Sequence, residues 1–333
     1  MKETRAAHPS SYRSPGAFAD HLEASGQLVR VHEPVSTYLE MTEIQTRLLA
    51  EDGPAVLFEN PINQAGEPLD FPVLVNLFGT VDRVALGLGR SRAQLIDLGE
   101  TLATRNHPEP VDGLRDAWDK IPLLKSAMAM RPKTVAGGPA QEVFLEGGDV
   151  DLTRLPVQTC WPGEPAPLIT WPLVVTRGPG EAREDGVNVG IYRMQVLDRN
   201  HTIIRWLDHR GGAKHHRAWA ARGEKMPIAV VIGADPGTIL GAVTPVPELM
   251  SEFQFAGLLR RERVALTSCK TVPLQVPAHA EIVLEGYVLP DKTADEGPYG
   301  DHTGYYNSVE KFPVFHITAI TRRKNPIYLS TFT

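Results

Sequence analysis

Two neighbouring stretches of the chain, Val187-Asn-Val-Gly-Ile-Tyr-Arg-Met-Gln-Val-Leu197 and Thr202-Ile-Ile-Arg-Trp-Leu207, carry the strongest structural signal. Both are rich in β-branched and apolar residues and stand a short polar turn apart, a pattern that predicts paired β-strands. We expect one helix in this half of the chain, from Pro247 or Glu248 to Arg260. Many strands with so few helices indicate a barrel, or a sheet curled around a site. Similar runs predict further strands at 143–145, 173–175, 228–232, 280–288 and 312–320.

The first third of the chain has a different pattern, which predicts a small α/β domain. Ser14-Pro15 is a typical helix start, because proline fits the first helical position. Further helices are expected at 41–49 and 91–104, and short apolar runs predict buried strands at 55–58 and 72–75.

The two parts are expected to be separate domains, joined by an arm at 106–133. We predict an N-terminal α/β domain with its connecting arm at 1–135 and a β-rich domain at 136–333. The predicted fold class is therefore α+β.

Composition argues against several classes of protein. The net charge of −6 and the pI near 6.0 are unfavourable for general nucleic-acid binding, which requires a basic surface. No apolar run approaches the roughly 20 residues that span a bilayer, and the first residues lack the apolar core of a signal peptide. Two cysteines, Cys160 and Cys269, are too few for a disulfide framework. We expect a cytoplasmic protein with no nucleic-acid partner.

Asn188 is unusual because asparagine is disfavoured inside β-strands. Its ordinary role would be that of a turn or bulge residue, helped by the neighbouring Gly190. Arg193 is an odd number of positions away, so in a regular strand the two side chains would point to opposite faces. They can reach one site only across a bulge or a strand end, and Gly190 is where we expect it.

A second polar group follows the next predicted strand, where Arg205 precedes Asp208-His-Arg-Gly-Gly212. Glycines allow backbone amides to approach an anion closely, and arginines bind phosphate through paired N–H donors. The segment is therefore a candidate phosphate site, while a structural or surface role for His209 stays open.

Asn188, His209 and Glu252 would together offer an amide, an imidazole and a carboxylate. Such a set suits Mg²⁺ or Mn²⁺ when phosphate oxygens complete the coordination shell. The ordinary alternative for Glu252 is a favourable interaction with the dipole of its own helix.

Glu296 and Asp301 lie five residues apart in the segment Glu296-Gly-Pro-Tyr-Gly-Asp-His302. Both could be no more than solvent-exposed turn residues. Together with Arg193 they could instead form a catalytic group, in which the arginine binds a substrate carboxylate while one acid supplies a proton.

These segments resemble the UbiD family of reversible decarboxylases, over a region from about residue 155 to 333. The N-terminal part is also similar, through Leu57-Phe-Glu-Asn-Pro61 and Val75-Asn-Leu-Phe-Gly79. Within the family, the likeness is greatest to members that decarboxylate a 4-hydroxy-3-polyprenylbenzoate in ubiquinone biosynthesis. The matching motifs are Asn188-Val-Gly-Ile-Tyr-Arg193, Arg205-Trp-Leu207, His209-Arg-Gly-Gly212, Leu240-Gly-Ala-Val-Thr-Pro-Val-Pro247, Glu285-Gly-Tyr287 and Glu296-Gly-Pro-Tyr-Gly-Asp-His-Thr-Gly304.

The resemblance implies a prenylated flavin mononucleotide (prFMN) cofactor, which a separate flavin prenyltransferase would supply. It also implies a divalent metal at the cofactor phosphate, usually Mn²⁺ and otherwise Mg²⁺, with K⁺ nearby. The implied metal ligands are Asn188, His209 and Glu252. The implied cofactor contacts are Ile191, Tyr192, Arg193, Arg205, Trp206, Leu207, Arg210, Gly211, Ala242, Val243, Thr244 and Pro245.

The implied catalytic residues are Glu296, Arg193 and Asp301. Arg193 would orient the substrate carboxylate, and Asp301 would protonate the ring carbon after CO₂ leaves, while the flavin accepts electron density. The implied fold is a split β-barrel of the flavin-reductase type, preceded by a small α/β domain. Family members normally continue into a C-terminal α/β domain that helps to close the site and to build a homo-oligomer, and we expect these 333 residues to lack it.

Three interpretations remain open at this point. The first is decarboxylation of a hydroxybenzoate with a polyprenyl chain, a substrate that would allow peripheral contact with the inner face of a membrane. The second keeps the chemistry but takes a simpler aromatic acid or an unsaturated acid. The third is a truncated flavin- or metal-binding fragment without turnover.

Overall fold

The computed structural model describes residues 12–104, 128–181, 186–244, 246 and 250–332. Within these ranges the α-helices are α1 (Pro15–Ala24), α2 (Glu40–Ala50), α3 (Val81–Gly87), α4 (Arg92–Thr104), α5 (Gly211–Ala220), α6 (Pro236–Val243) and α7 (Glu252–Arg260). The strands are β1 (Leu28–Val31), β2 (Val35–Ser36), β3 (Ala55–Phe58), β4 (Pro61–Ile62), β5 (Val73–Val75), β6 (Lys133–Val135), β7 (Val143–Glu146), β8 (Leu168–Ile169), β9 (Pro172–Arg177), β10 (Val187–Ile191), β11 (Met194–Val196), β12 (His201–Ile204), β13 (Met226–Ile232), β14 (Ala265–Ser268), β15 (Gln275–Pro277), β16 (Ile282–Glu296), β17 (Glu310–Arg322) and β18 (Tyr328–Leu329).

The N-terminal part is a small helix-and-sheet layer, as the sequence predicts. Ser14 caps α1, because its hydroxyl accepts a hydrogen bond from the Ala17 amide at 3.2 Å, and Pro15 occupies the first helical position. The sheet has the order β1-β3-β5-β18. Its last strand comes from the end of the chain, where Tyr328 pairs in parallel with Val73. The division at residue 135 stays a prediction.

The second part is built on a nine-stranded sheet with the order β10-β9-β13-β16-β17-β12-β11-β8, and β7 pairs with β17. Every residue of β13 is buried, which is why its sequence is an unbroken apolar run. The strands at the two ends of the path, β10 and β8, are not paired with each other in the described part of the chain. No closed barrel is therefore found there, and the split barrel stays a prediction.

The β16–β17 hairpin extends beyond the strands that the sequence predicts. β16 continues beyond Val288 through mostly exposed residues to the buried Glu296, with an irregularity in register between Val288 and Thr293. Hydrophobic alternation is lost where the hairpin leaves the core, although its backbone pairing with β17 resumes. The apolar pattern at 280–288 therefore predicts only the buried, N-terminal portion of β16.

The expectation of a single helix in the second part is wrong. α5 and α6 are also present, and α6 begins with the same signal as α1: Asp235 caps it by accepting from the Thr238 amide at 3.0 Å, and Pro236 is its first residue. α7 begins at Glu252, after the cap residue Ser251, and the positions 247–249 of the expected start lie outside the described residues. None of the described helices is both long and apolar enough to cross a membrane.

The predicted connecting arm lies largely outside the described residues, since 105–127 are not among them. At its C-terminal end the chain is not a free linker. β6 pairs in parallel with β14, with Lys133 opposite Ala265. The arm therefore joins the second part as a strand.

A buried glutamate connects the large sheet to the segment that leads into β18. Glu281 is 2% exposed and accepts a hydrogen bond from the Ile327 amide at 3.1 Å. Its other oxygen lies 3.2 Å from Nε of Arg323. Burial raises the pKa of Glu281 to about 7, against the opposing effect of Arg323.

We expect Glu281 to make the fold less stable as pH rises. A carboxyl group whose pKa is higher in the folded state stabilises the fold at pH below 4.5 and loses that contribution as pH rises to 7. The loss is at most about 3 kcal/mol. Glu281→Gln keeps the acceptor for Ile327 and removes the titration, so its free energy of unfolding should fall less over this range in urea titrations. Parallel pH profiles for the two proteins would contradict the assignment.

Candidate active site

The predicted arginine and one predicted acid form a tight ion pair. Arg193 donates to Glu296 twice, from Nε to Oε1 at 2.8 Å and from Nη2 to Oε2 at 3.1 Å. Arg205 donates from Nη1 to the same Oε2 at 3.0 Å. The Glu296 side chain is 1% exposed, whereas those of the two arginines are 15% and 20% exposed. Glu296 is therefore not a solvent-exposed turn residue, and it neutralises part of a strongly positive group.

The ends of three strands bring these side chains together. Arg193 lies in the gap between β10 and β11, Arg205 follows β12, and Glu296 is the last residue of β16. The predicted strand at 202–207 is therefore too long, since it ends at Ile204. The Arg205 amide donates to the Arg193 carbonyl at 3.2 Å, which holds the two arginines side by side.

The strand break that separates Asn188 from Arg193 is real, but it is not at Gly190. The β9–β10 ladder is regular through Gly190 and Ile191, and the chain leaves it only afterwards. Gly190 is needed for another reason: a Cβ there would lie 2.6 Å from the ring of Tyr192. The missing side chain lets that ring lie against the strand.

Neighbouring residues that the sequence analysis did not single out complete this group. Asn307 accepts from Nη2 of Arg193 at 2.9 Å and from the Tyr299 amide at 3.0 Å. The ring of Tyr299 is 5.4 Å from the Arg193 guanidinium carbon. Glu310 accepts Arg205 at 3.1 Å from the strand opposite Glu296. Tyr299 lies within the motif at 296–304, whereas Asn307 and Glu310 belong to no sequence pattern, because only the fold brings them to the two arginines.

The positive charge of Arg193 acts on the Asp301 carboxylate, but the two side chains are not in contact. Its Oδ1 accepts from the Thr303 amide at 2.8 Å and from the Thr303 hydroxyl. These hydrogen bonds lower the pKa of Asp301, with the hydroxyl as the largest cause and Arg193 as a minor one. In this geometry Asp301 is a carboxylate at neutral pH, and a proton donor must first gain a proton.

A cavity of about 760 Å³ lies between β10, α5 and the connection from α6 to α7. This volume is within the usual range for small-molecule and cofactor sites. The three predicted metal ligands, Asn188, His209 and Glu252, all line it. The fold therefore places these three residues around one cavity.

Asn188 is held against the start of α5. A Cβ at Gly211 would lie 1.9 Å from Oδ1 of Asn188, so glycine is required for this close approach. The Asn188 amide nitrogen lies 3.4 Å from the Tyr192 hydroxyl, which also accepts from the Gly212 amide at 3.2 Å. Asn188 therefore directs its oxygen towards the N-terminus of a helix, where a phosphate would also bind.

Glu252 is the first residue of α7 and reaches the edge of β10. Its Oε2 accepts from the Val189 amide at 2.9 Å, which satisfies a donor on an unpaired strand edge. Burial raises the pKa of Glu252, and that hydrogen bond partly opposes the rise. The carboxylate is therefore held at the cavity by backbone amides, that of Val189 and its own.

His209 is exposed and makes no hydrogen bond to another described residue. Among the residues described, no three His, Cys, Asp or Glu side chains converge as a metal site. The predicted set contains only two such side chains, His209 and Glu252, and takes its third protein donor from the Asn188 amide, with ligand oxygens to complete the shell. That donor chemistry fits Mg²⁺ or Mn²⁺ beside a phosphate.

The predicted cofactor contacts divide into two groups. Arg193, Arg205, Trp206 and Leu207 are outside the cavity wall, and Pro245 lies outside the described residues. Trp206 is buried instead, with its ring 6.2 Å from that of Tyr192 in an edge-on contact. The contacts that line the cavity are Ile191, Tyr192, Arg210, Gly211, Ala242, Val243 and Thr244.

Lys214 and His215 also line the cavity, on the first turns of α5. His215 pairs with the Thr176 hydroxyl at 2.9 Å, and burial lowers its pKa, which keeps the imidazole neutral. Arg210, Lys214 and the Gly211 amide at the start of α5 make this end of the cavity suitable for an anion. The sequence analysis did not identify Lys214, because it did not predict that a helix begins at Gly211. In a helix that begins there, Lys214 is four residues after Arg210 and lies beside it.

We expect Glu296 to be far more important for stability than its neighbour Glu310. Glu296→Ala leaves two partly buried arginines without their shared acid, at a cost of about 3–5 kcal/mol. Glu310→Ala removes a carboxylate that is 49% exposed, at a cost of about 1 kcal/mol or less. Urea unfolding of both variants measures the difference. Equal losses would show that the arginines are not held by Glu296.

Models of one protein family match both parts of the chain. The model of the UbiD family, described as the 3-octaprenyl-4-hydroxybenzoate carboxy-lyase Rift-related domain, matches residues 133–333, which is more than half of the chain. The model of the N-terminal domain of the same carboxy-lyase matches residues 19–102.

Solved structures give the same result over nearly the whole chain. The vanillic acid decarboxylase of Sedimentibacter hydroxybenzoicus, in its closed form, is 27% identical with a TM-score of 0.82, over 96% of this chain and 64% of that one. An evolved dimeric form of the UbiD-class enzyme HmfF from Pelotomaculum thermopropionicum, in complex with prFMN, is 25% identical with a TM-score of 0.80, over 96% of this chain and 68% of that one.

The 3,4-dihydroxybenzoic acid decarboxylase AroY of Klebsiella pneumoniae, in its apo form, has the same fold. It is 24% identical with a TM-score of 0.78, over 96% of this chain and 65% of that one. The chain thus spans about two thirds of the length of these relatives. With both family models matched in order and the fold shared, the chain belongs to the UbiD family.

Proposed function

We propose that this chain holds the cofactor and catalytic groups of a prFMN-dependent decarboxylase of aromatic acids. The observation that carries the proposal is the Arg193–Glu296 ion pair, held beside a cavity of mononucleotide size. A solved relative is a decarboxylase of vanillic acid and another is in complex with prFMN, which supports the same chemistry here. A flavin- or metal-binding fragment without turnover has no use for an arginine oriented in this way.

We assign the phosphate of prFMN to the α5 end of the cavity. Arg210, Lys214 and the Gly211 amide supply the positive environment. A divalent metal, Mn²⁺ or Mg²⁺, would be held by Asn188, His209 and Glu252, with K⁺ nearby. Under this proposal the nine-stranded sheet is the split barrel of a flavin-binding domain at 136–333, which follows an α/β domain at 1–135.

Arg193 is the proposed anchor for the substrate carboxylate. Its Nε and Nη2 are engaged by Glu296 and Asn307, whereas its Nη1 donates to no described residue. Nη1 therefore has free N–H groups for a carboxylate, and Glu296 fixes their direction. When bound, prFMN accepts electron density as CO₂ leaves. Glu296 keeps the guanidinium in place throughout.

Asp301 is the proposed acid that protonates the ring carbon. It must be protonated for this step, so the Thr303 hydrogen bonds that lower its pKa have to be released. A bound aromatic ring that displaces water from Asp301 would raise that pKa and supply the required form. The proton then moves from the Asp301 carboxyl to the carbon that carried CO₂.

Two substrate classes are compatible with this site. A 4-hydroxy-3-polyprenylbenzoate of ubiquinone biosynthesis is the first, and a simpler phenolic acid such as vanillate is the second. The vanillic acid decarboxylase relative favours the second class, whereas the family model description favours the first. A flavin prenyltransferase would supply the cofactor, and a homo-oligomer is the expected assembly. A lipid-tailed substrate would bring peripheral membrane contact.

We expect the chain, co-produced with a flavin prenyltransferase, to carry prFMN and one divalent metal ion in native mass spectra. Glu252→Gln and Asn188→Ala should each weaken metal binding by at least about tenfold, since each removes an oxygen or charge at the cavity. Glu310→Gln, away from the cavity, is the matched control. CO₂ release from vanillate and from a prenylated 4-hydroxybenzoate then separates the two substrate classes. A bare polypeptide would count against the cofactor site.

We expect Asp301→Asn to lower kcat by about 10²–10⁴-fold, the usual contribution of a positioned general acid. Asp295→Asn is the control, because Asp295 is 63% exposed and paired with Lys311 on the neighbouring strand. The measurement is CO₂ release by protein of equal prFMN content. Full activity of Asp301→Asn would remove Asp301 as the donor and leave the cofactor assignment intact.

A further inference from the structure

The loop that carries Asp301 packs against a segment that has no role in the proposed function. We define the Asp301 loop as residues 297–307 and the proline-rich turn as residues 160–166, Cys-Trp-Pro-Gly-Glu-Pro-Ala. Among the described residues, the hydrogen-bond partners of Asp301 all lie within the loop, at Thr303, Tyr305 and Gly304. These bonds shape the loop but do not attach it to the rest of the protein.

Aromatic contacts attach the loop to the proline-rich turn. The ring of Trp161 lies 5.5 Å from that of Tyr306 in an edge-on geometry, and the Tyr306 hydroxyl donates to the Pro162 carbonyl. Trp161 also lies directly on the backbone of Gly300, next to Asp301. A Cβ at Gly300 would be 2.0 Å from the indole ring, so no other residue fits there without displacing Trp161.

Two polar contacts reinforce the same attachment. The Tyr299 hydroxyl donates to the Ala166 carbonyl at 2.9 Å, and Tyr299 is fully buried. Glu164 accepts from the Cys160 amide at 2.8 Å, which shapes the turn. The Gly300 amide of the loop acts on the same carboxylate and lowers its pKa, whereas burial raises it. Glu164 is therefore in contact with both segments.

We propose that the proline-rich turn is a clamp that positions the Asp301 loop for catalysis, with Trp161 and Glu164 as positioning residues. The inference rests on the proposed function, in which Asp301 is the acid. On its other side the loop is joined to the arginine group through Asn307. The clamp and Asn307 thus fix the loop from two directions, so that Asp301 stays at a set distance from the carboxylate anchor. A shift of about 1 Å in such a group can cost about 10²-fold in rate.

The first test measures the loop itself, in the full chain and without substrate. In Trp161→Ala, hydrogen exchange at the amides of Asp301, Gly304 and Asn307 should be at least about tenfold faster, because their hydrogen bonds lie inside the loop. Exchange in the β16–β17 ladder should not change. Trp161→Phe keeps a ring against Gly300 and should restore most of the protection. Unchanged exchange at the three amides in Trp161→Ala would overturn the clamp.

A second variant approaches the contact from the other side. Gly300→Ala should displace the indole and reproduce the faster exchange of Trp161→Ala. Gly148→Ala is the matched control, because a Cβ there meets nothing within 4 Å. Normal loop protection in Gly300→Ala would overturn the proposed contact.

The third test concerns catalysis in prFMN-loaded protein. Trp161→Ala and Glu164→Ala should lower kcat by about tenfold or more, with KM, prFMN content and thermal stability nearly unchanged, and Trp161→Phe should recover. Faster loop exchange with unchanged kcat would overturn the positioning role. A wild-type chain without decarboxylase activity would refute the proposed function and this catalytic role together, whereas the exchange rates alone decide whether the clamp exists.

Discussion

A single buried carboxylate, Glu296, organises the charged part of this protein. An ionised group with 1% exposure is costly unless it is paired, and here two arginines share it. Arg205 also reaches Glu310, which lies directly across the hairpin from Glu296, so the cation separates two acids that would otherwise repel. The ends of β11, β12, β16 and β17 therefore converge on one cluster of charges. The guanidinium of Arg193 has its direction set before any ligand arrives, which is the condition for electrostatic preorganisation.

Tyr192 links this cluster to the cavity. It precedes Arg193 in the gap between β10 and β11, and it lines the cavity, whereas Arg193 does not. The Tyr192 hydroxyl accepts from Gly212 at the start of α5, and its ring lies against Gly190. The strand end therefore fixes the distance between the cavity and the arginine anchor. This constraint explains why one short segment contains glycine, tyrosine and arginine in that order.

Capping residues and short apolar runs correctly predicted the helices and strands whose formation depends on neighbouring residues in the sequence. The Ser14-Pro15 start of α1 and the apolar run of β3 are examples, because capping and burial act over a few residues. The same logic applied to Asp235-Pro236 would have found α6, a signal that was present and missed. β16 was predicted too short, since its outer portion is held by backbone pairing rather than by side-chain burial. Periodicity cannot reveal a strand of that kind.

Only part of the candidate site could be predicted from the sequence. Asn188, His209 and Glu252 were identified as one set and do line one cavity, although their metal role stays a prediction. Asn307 was not identified, because an asparagine in a polar loop has no distinguishing pattern until the fold brings it to Arg193. Trp161 is a similar case: its contact with Gly300 joins segments far apart in sequence.

The proposed role of Asp301 poses the remaining physical question, because a proton donor cannot be the carboxylate seen here. Thr303 holds it as a carboxylate and lowers its pKa, so donation requires the side chain to leave those hydrogen bonds and to enter a drier environment. If the whole loop moved, the distance to Arg193 would be lost at the same time. A backbone fixed at Gly300 and Asn307, with a side chain free to rotate, satisfies both requirements. Rotation of the Asp301 side chain would then change its pKa, while its backbone stays in place relative to Arg193 through the contacts at Gly300 and Asn307.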